Sequence, residues 1–266
     1  MDLNETKSFL RRYNISPNKI AGQNFLVESS VAKREVEAAE LTKSDVVLEV
    51  GPGLGALTEH ILASGCRVVA VERDPAFIEI LKERFPTDRL EIINADVMKI
   101  DLPDFDAVVS NIPYVISSPL TFKLLEHGFE CGVFTFQFEF AQRLVAEPGE
   151  WEYSRLSVGA GYYADIEIVE ELHPRLFYPP PRVRSAVVKI VPRPPVIDVD
   201  KDVFFKLVRG MFTVKKKTVK NGVTIAKKIE GIDVDISDIP AGILKKRVFE
   251  LWPEEIALIS NKARLI

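Results

Sequence analysis

Cysteine is nearly absent from the 266 residues: Cys66 and Cys131 stand far apart, which excludes a disulfide framework and fits a reducing compartment. Both are expected to be inert thiols. Histidine is scarce too. His60, His127 and His173 share no ligand spacing with one another or with a cysteine, so no metal site is expected. No stretch approaches about 18 uninterrupted apolar residues, and Met1 to Glu5 shows no basic segment running into an apolar one. The expectation is a cytoplasmic protein without membrane association. Internal repeats and low-complexity tracts are missing as well.

What remains is the composition of an ordinary globular chain, 47% apolar and 28% charged, long enough for one large α/β domain with a small appendage. The net charge of -4 argues against a nucleic-acid partner, but the average hides a segregation. Lys206, Arg209, Lys215, Lys216, Lys217, Lys220, Lys227 and Lys228 fall in one stretch with no acid among them, and Glu230, Asp233, Asp235 and Asp238 follow directly. A local phosphate-binding surface is one reading of that run; a solvated lysine-rich helix is the other.

The apolar spacing predicts a helix over 4–13 with Asn4 as cap and Arg11 and Arg12 at its end, then a glycine-led turn, then a helix over 29–41. From Val46 onward strands and helices alternate. Strands are predicted at 46–50, 67–72, 90–94, 106–110 and 132–138, and helices at 56–64, 75–85, 117–127 and 139–146. Continuous β-branched strands between amphipathic helices indicate a mostly parallel sheet covered on both faces, a doubly wound α/β domain. After a helix over 154–163, two late strands at 166–169 and 185–191 suggest an antiparallel hairpin at the sheet edge. Pro192 to Pro195 reads as a linker, and helices at 201–213, 215–229 and 253–263 suggest a small α-helical C-terminal domain. The expected domains are 1–194 and 195–266.

Ligands of such sheets bind at the carboxyl ends of the strands, where the distinctive residues cluster. Gly51-Pro52-Gly53-Leu54-Gly55-Ala56 links the first strand to its helix, and Glu72 ends the second strand at the spacing of a ribose-binding acid. That loop alone fits a nicotinamide dinucleotide equally well. Pro52, however, removes an N–H that a pyrophosphate would use. Asp96 follows the third strand, placed to accept from an adenine amine, and Asn111-Ile112-Pro113-Tyr114 ends the fourth. An amide oxygen, a rigid turn and an aromatic ring suit a flat hydrogen-bonding base, although the string by itself also serves as a strand-exit turn. Together these ends fit S-adenosylmethionine better than a dinucleotide.

Other residues have plainer readings. Asp74 before Pro75 is expected to cap a helix. Glu49 either orients the glycine loop or makes a salt bridge, and Glu59 is a solvated or loop-supporting residue. Phe134, Phe136, Phe138 and Phe140 alternate at strand period and are expected in the core.

The chain resembles the ribosomal RNA adenine dimethyltransferases that modify two adjacent adenosines near the 3′ end of small-subunit RNA. The resemblance rests on Gly22-Gln23-Asn24-Phe25-Leu26, Leu48-Glu49-Val50-Gly51-Pro52-Gly53-Leu54-Gly55, Val71-Glu72, Ala95-Asp96, and Asn111-Ile112-Pro113-Tyr114 with Ser117-Ser118-Pro119. It continues through Phe136-Gln137, Arg143-Leu144, Pro148-Gly149 and Phe177-Tyr178-Pro179-Pro180-Pro181 to Lys216-Lys217-Thr218.

The resemblance implies a Rossmann-like methyltransferase fold with S-adenosylmethionine as cofactor. It implies that Asn24 and Leu26 close over the cofactor, Gly51 and Gly53 let it approach, Glu72 binds its ribose, and Asp96 with Val97 holds its adenine. Asn111 touches both cofactor and target base, Tyr114 stacks on the base, and Phe177 lies on its other side. Lys215, Lys216, Lys217 and Lys220, with Arg11 and Arg12, are the expected RNA contacts. The expected partner is small-subunit rRNA in a partly assembled particle, met by a monomer. Where the family often carries arginines, Lys216 and Lys217 keep the charge and lose the bidentate fork. The rivals are a large-subunit resistance-type methyltransferase, an assembly factor, and a nicotinamide dehydrogenase.

Overall fold

The computed structural model describes residues 1–18 and 22–266. In chain order the elements are α1 (Leu3–Arg12), β1 (Phe25–Leu26), α2 (Ser29–Ala38), β2 (Val46–Val50), α3 (Ala56–Ser64), β3 (Arg67–Glu72) and α4 (Pro75–Arg84). Next come β4 (Leu90–Asn94), β5 (Ala107–Asn111), α5 (Ser117–His127), β6 (Cys131–Gln137), α6 (Phe138–Val145), α7 (Arg155–Tyr163), β7 (Ala164–Leu172), β8 (Phe177–Tyr178) and β9 (Ser185–Pro192). The remainder is α8 (Lys201–Phe212), α9 (Val219–Glu230), β10 (Ile232–Val234), α10 (Ala241–Lys245), α11 (Pro253–Ser260) and β11 (Ala263–Leu265). The chain forms two compact units: Met1–Ala141 with Ile166–Pro192, and Gln142–Asp165 with Arg193–Ile266.

The first unit is built on a seven-stranded sheet of order β4-β3-β2-β5-β6-β9-β7. Strands β2 to β6 are parallel to their neighbours, and β9 runs antiparallel to β6. The late pair forms the sheet edge as its patterning suggests, with β9 inside and β7 outermost. Runs such as Val47 to Val50 and Val68 to Glu72 are buried without alternation, as strands covered on both faces must be. Phe134 and Phe136 are core residues, but β6 stops at Gln137, so Phe138 lies in α6 and not in the predicted strand, and Phe138 and Phe140 are only half-buried.

Helix starts follow capping chemistry. Asp74 accepts from the Ala76 N–H at 3.0 Å ahead of Pro75, the expected cap. For α1 the cap is Asp2 rather than Asn4. The Asp2 carboxylate accepts from the N–H groups of Asn4 (2.7 Å) and Glu5 (2.9 Å), while Glu5 reaches back to the Asp2 N–H at 2.7 Å. Reciprocal bonding of that kind outcompetes a lone amide two residues on.

In the second unit, Tyr153, Val158 and Tyr162 share one apolar cluster with Phe204, Leu207, Met211 and Ile256. This shared core is why residues 142–165 pack with the tail, whereas the expected division grouped them with residues 1–141. The tail is not wholly helical. Strand β10 pairs antiparallel with β11, Asp233 opposite Arg264, and the pairing is reinforced by an ion pair of 3.5 Å between those residues. The helix predicted from 215 begins only at Val219, because Lys215 to Lys217 form a turn closed by the Lys217 N–H to Val214 C=O bond of 2.7 Å.

Candidate active site

The sheet order places a topological switch point between β2 and β5: β3 and β4 extend to one side of β2, and the chain then returns to lay β5 on the other. Crevices outside the carboxyl ends of strands at such points are where open α/β sheets bind ligands. The β2–β5 ladder pairs Val47 with Ala107 and Leu48 with Val108. Beyond it the Ser110 hydroxyl takes over, donating to the Val50 C=O at 2.7 Å and accepting from the Val50 N–H at 3.2 Å. Ser110 was not singled out from sequence; a hydroxyl inside a β-branched run is the signal it left.

A cavity of about 480 Å³ opens at these strand ends in the first unit, within the range of roughly 300–1,000 Å³ usual for small-molecule sites. Its floor is the glycine loop. Gly51, Gly53 and Gly55 adopt φ of 66°, 54° and 81°, which side chains rarely tolerate. A Cβ on Gly53 would also lie 3.2 Å from the Phe25 ring. Glu72 is nearly buried and is held at both oxygens, one accepting from the Gly53 N–H (3.2 Å) and the other from the Asp74 N–H (2.8 Å). Burial raises its pKa above the ordinary value, while the amides of Asp74, Gly53 and Arg73 pull it down. Asp96 accepts from the Met98 N–H at 3.0 Å, and buried Val97 follows it on the wall.

Asn24, Leu26, Asn111, Tyr114 and Phe177 line the same cavity. The segment Gly22–Leu26 is locked from two sides. Gln23 clasps Asn18 through paired bonds of 2.8 and 3.1 Å, and the Asn24 amide donates to the Gly22 C=O at 3.0 Å. Strand β1 then pairs with β8, setting Leu26 opposite Phe177 and Phe25 opposite Tyr178. Tyr114 hydrogen-bonds Ser185 at 2.7 Å, which fixes the ring, and burial raises its pKa. By contrast, the Asn111 side-chain oxygen is buried and has no hydrogen-bond partner among the described residues. All ten sequence-predicted cofactor and catalytic residues thus converge on one cavity.

Two buried carboxyls, Glu49 on the cavity lining and Glu35 outside it, went unassigned or open in the sequence. Glu49 accepts from the Thr58 hydroxyl at 2.6 Å and makes no salt bridge among the described residues; burial pushes it up to about 8 despite that bond. Glu35, on α2, accepts from the Thr135 hydroxyl at 3.0 Å, and burial likewise pushes it up to about 8. Thr135 lines the cavity and stands opposite Asn111 in the β5–β6 register. Glu59 is loop-supporting, bonded to Arg84 at 3.1 Å.

The expected RNA contacts divide. Arg11 and Arg12 are exposed on α1, and Arg12 pairs with Glu83 at 2.7 Å. In the second unit the basic run is partly neutralised: Lys206 pairs with Asp202, Arg209 with Glu230, and Lys227 with Asp233. Lys215 is committed inward, donating to the C=O groups of Trp151 (2.7 Å) and Tyr153 (2.8 Å). Lys216, Lys217 and Lys220 remain exposed, and among the described residues no carboxylate pairs with them.

Known proteins resemble this chain in sequence and fold. The family described as ribosomal RNA adenine dimethylase matches residues 15–239. The probable ribosomal RNA small subunit methyltransferase A of Pyrococcus furiosus is 45% identical over 259 residues, 95% of this chain and 94% of that one. Its counterpart in Methanosarcina mazei is 42% identical over 260 residues, 96% of each chain. Among solved structures, a dimethyladenosine transferase from Plasmodium falciparum superposes with a TM-score of 0.77 at 28% identity, over 87% of this chain and 94% of that one. The 23S rRNA methyltransferase ErmE superposes with a TM-score of 0.70 at 28% identity, over 90% of this chain and 99% of its own.

Proposed function

The chain belongs to the ribosomal RNA adenine dimethylase family, and from that membership we infer that it dimethylates the exocyclic amines of two adjacent adenosines near the 3′ end of small-subunit rRNA. The cofactor is S-adenosylmethionine, which supplies an electrophilic methyl group when bound. The observation that carries the reading is the buried, unpartnered oxygen of Asn111 on the cavity wall. An acceptor kept dry and unpaired costs about 1–3 kcal/mol unless a ligand donates to it.

The residues present fit that cofactor. Glycines at positive φ leave room for close approach, and the Glu72 carboxylate, oriented by two amides, keeps lone pairs for a ribose diol. Asp96 and Val97 offer an acceptor and an apolar wall to an adenine ring. Asn24 and Leu26 close over the site from the locked Gly22–Leu26 segment.

For the target base, the Asn111 oxygen and the Ile112 C=O accept the two N–H bonds of the exocyclic amine. Adenine's amino lone pair is delocalised into the ring, and these bonds bias the nitrogen toward a tetrahedral shape with its lone pair available. The contribution is positioning together with stabilisation of the positive charge that develops on nitrogen. Tyr114, its hydroxyl tied to Ser185, stacks on the base with Phe177 opposite; such contacts are worth about 1–3 kcal/mol per base. The base must be unstacked to enter. The helical unit, with Lys216, Lys217 and Lys220, and the α1 end with Arg11 and Arg12, contact RNA in a partly assembled particle. The enzyme works as a cytoplasmic monomer; among the described residues no helix is long and apolar enough to cross a membrane.

The test is methyl transfer onto unmodified small-subunit particles, with the products located by mass spectrometry. Two neighbouring dimethyladenosines are expected. Methylation of large-subunit RNA instead, or of neither, overturns the reading. In the same assay Asn111→Ala largely removes transfer while cofactor binding, measured by calorimetry, survives.

A further inference from the structure

The more exposed of the two tryptophans lies outside the apolar cluster of the second unit. Trp151 is 69% exposed, yet the loop that carries it is held at every turn within the second unit. The Gly149 N–H donates to the Phe249 C=O at 2.8 Å, and the Tyr153 hydroxyl donates to the Leu251 C=O at 2.7 Å. The Glu150 carboxylate folds back on the Glu147 N–H at 2.8 Å. Lys215 then spends its ammonium on the carbonyls of Trp151 and Tyr153 themselves. A backbone this constrained, presenting a large apolar ring to water, is preorganised to receive something.

The surroundings say what. The Lys216 ammonium lies 4.1 Å from the Trp151 ring centroid and that of Lys215 lies 5.7 Å from it. Lys217 and Lys220 follow, exposed and without carboxylate partners among the described residues. Burial lowers the Lys215 pKa, the neighbouring charges of Lys216 and Arg143 lower it further, and Glu152 opposes them. An exposed aromatic face beside several cations matches a single nucleic-acid strand, whose bases stack while its phosphates meet the ammoniums. A protein-docking surface is typically a larger apolar patch, whereas here the ring is faced by two ammoniums.

We propose that Trp151 is a stacking platform for one unpaired base of the RNA substrate, with Lys216, Lys217 and Lys220 holding the phosphates that flank it. This rests on the reading of the protein as an RNA methyltransferase, and it adds a base-binding position separate from the cavity of the first unit. Lys215 is a positioning residue here, fixing the loop rather than meeting RNA.

Trp252 is the other tryptophan, so full-length Trp252→Phe leaves Trp151 as the sole indole reporter. That protein is titrated with a short single-stranded oligoadenylate and with an abasic oligomer of equal length and charge, and Trp151→Ala and Trp151→Phe are compared with wild type on both the oligomer and small-subunit particles. The platform predicts fluorescence quenching by oligoadenylate and not by the abasic strand. It also predicts affinity weakened about tenfold in Trp151→Ala and largely kept in Trp151→Phe, with an unaltered unfolding midpoint. Equal quenching by the abasic strand, or unchanged affinity in Trp151→Ala, overturns the platform while leaving methyl transfer by the wild type intact. Weakened binding to particles with unchanged binding to oligoadenylate overturns it in favour of a protein contact. Failure of the wild type to bind or methylate particles overturns the underlying reading itself.

Discussion

Glu35→Gln tests the electrostatics behind the active-site wall. The Glu35 carboxyl is 1% exposed and accepts one bond, from Thr135, while its other oxygen has no partner among the described residues. Folding raises its pKa from 4.5 to about 8, burial being the largest cause. The folded state therefore binds this proton more tightly than the unfolded state does. The stability that the protonated group contributes is complete below about pH 4.5 and is lost as pH climbs toward about 8, roughly 5 kcal/mol in all. Between about pH 5 and about pH 7.5 the linkage amounts to about 3 kcal/mol. Glutamine has nearly the same shape and no proton to exchange. Any fixed cost of placing its amide there cancels when one pH is compared with another. Urea unfolding of both proteins at the two pH values should show the variant gaining about 3 kcal/mol relative to wild type on going from the lower to the higher pH. A difference independent of pH would mean that Glu35 is ionised and solvated in the folded protein, and would refute its raised pKa.

Three further outcomes follow from single contacts. Tyr153→Phe removes the donor to the buried Leu251 C=O and should lower stability by about 1–2 kcal/mol; an unshifted urea midpoint would show that water replaces the hydroxyl. Gly55→Ala should cost clearly more than Gly128→Ala. Both sit at positive φ, but only at Gly55 does the new Cβ fall 2.5 Å from a Phe85 ring atom, and equal losses would refute the clash. Lys217→Ala and Lys220→Ala should each flatten the salt dependence of RNA binding by about 0.7–0.9 in log–log slope, and Lys215→Ala by much less because its charge is already committed to carbonyls; three equal changes would return Lys215 to the RNA-facing set.

Where the chemistry is local, the sequence was legible. The β-branched runs, the glycine turn and Asp74-Pro75 each dictate their own geometry, and the strand ends at Glu72 and Asn111 follow from those runs. Long-range pairings were not legible. Nothing near Lys215 announces that its ammonium turns to carbonyls more than 60 residues away, and nothing in the acidic stretch after Gly231 reveals that Asp233 faces Lys227 and Arg264. The basic run therefore looked more uniform than it is. Residues 142–165 look like the end of one domain because they follow it in sequence, whereas their apolar face finds its core among α8 and α11. Ser110 and Glu35 share the same difficulty, since a hydroxyl in a strand and an acid on a helix acquire meaning only through the neighbour each meets.

Within the first unit, many polar groups around the strand ends are paired with one another. Ser110 binds both backbone groups of Val50, Glu72 binds two amides, Thr135 binds Glu35, Thr58 binds Glu49, and Tyr114 binds Ser185. Among the described residues lining the cavity, the Asn111 oxygen is the one buried side-chain atom left over. Satisfied neighbours cannot rotate to pair with it without breaking bonds of their own. A strand-exit turn needs no such support: its amide would turn outward to water or cap its own backbone. The unpaired oxygen therefore suits Asn111 to Tyr114 to a donor from outside the chain, and under the proposed function a planar amine between Tyr114 and Phe177 would supply it.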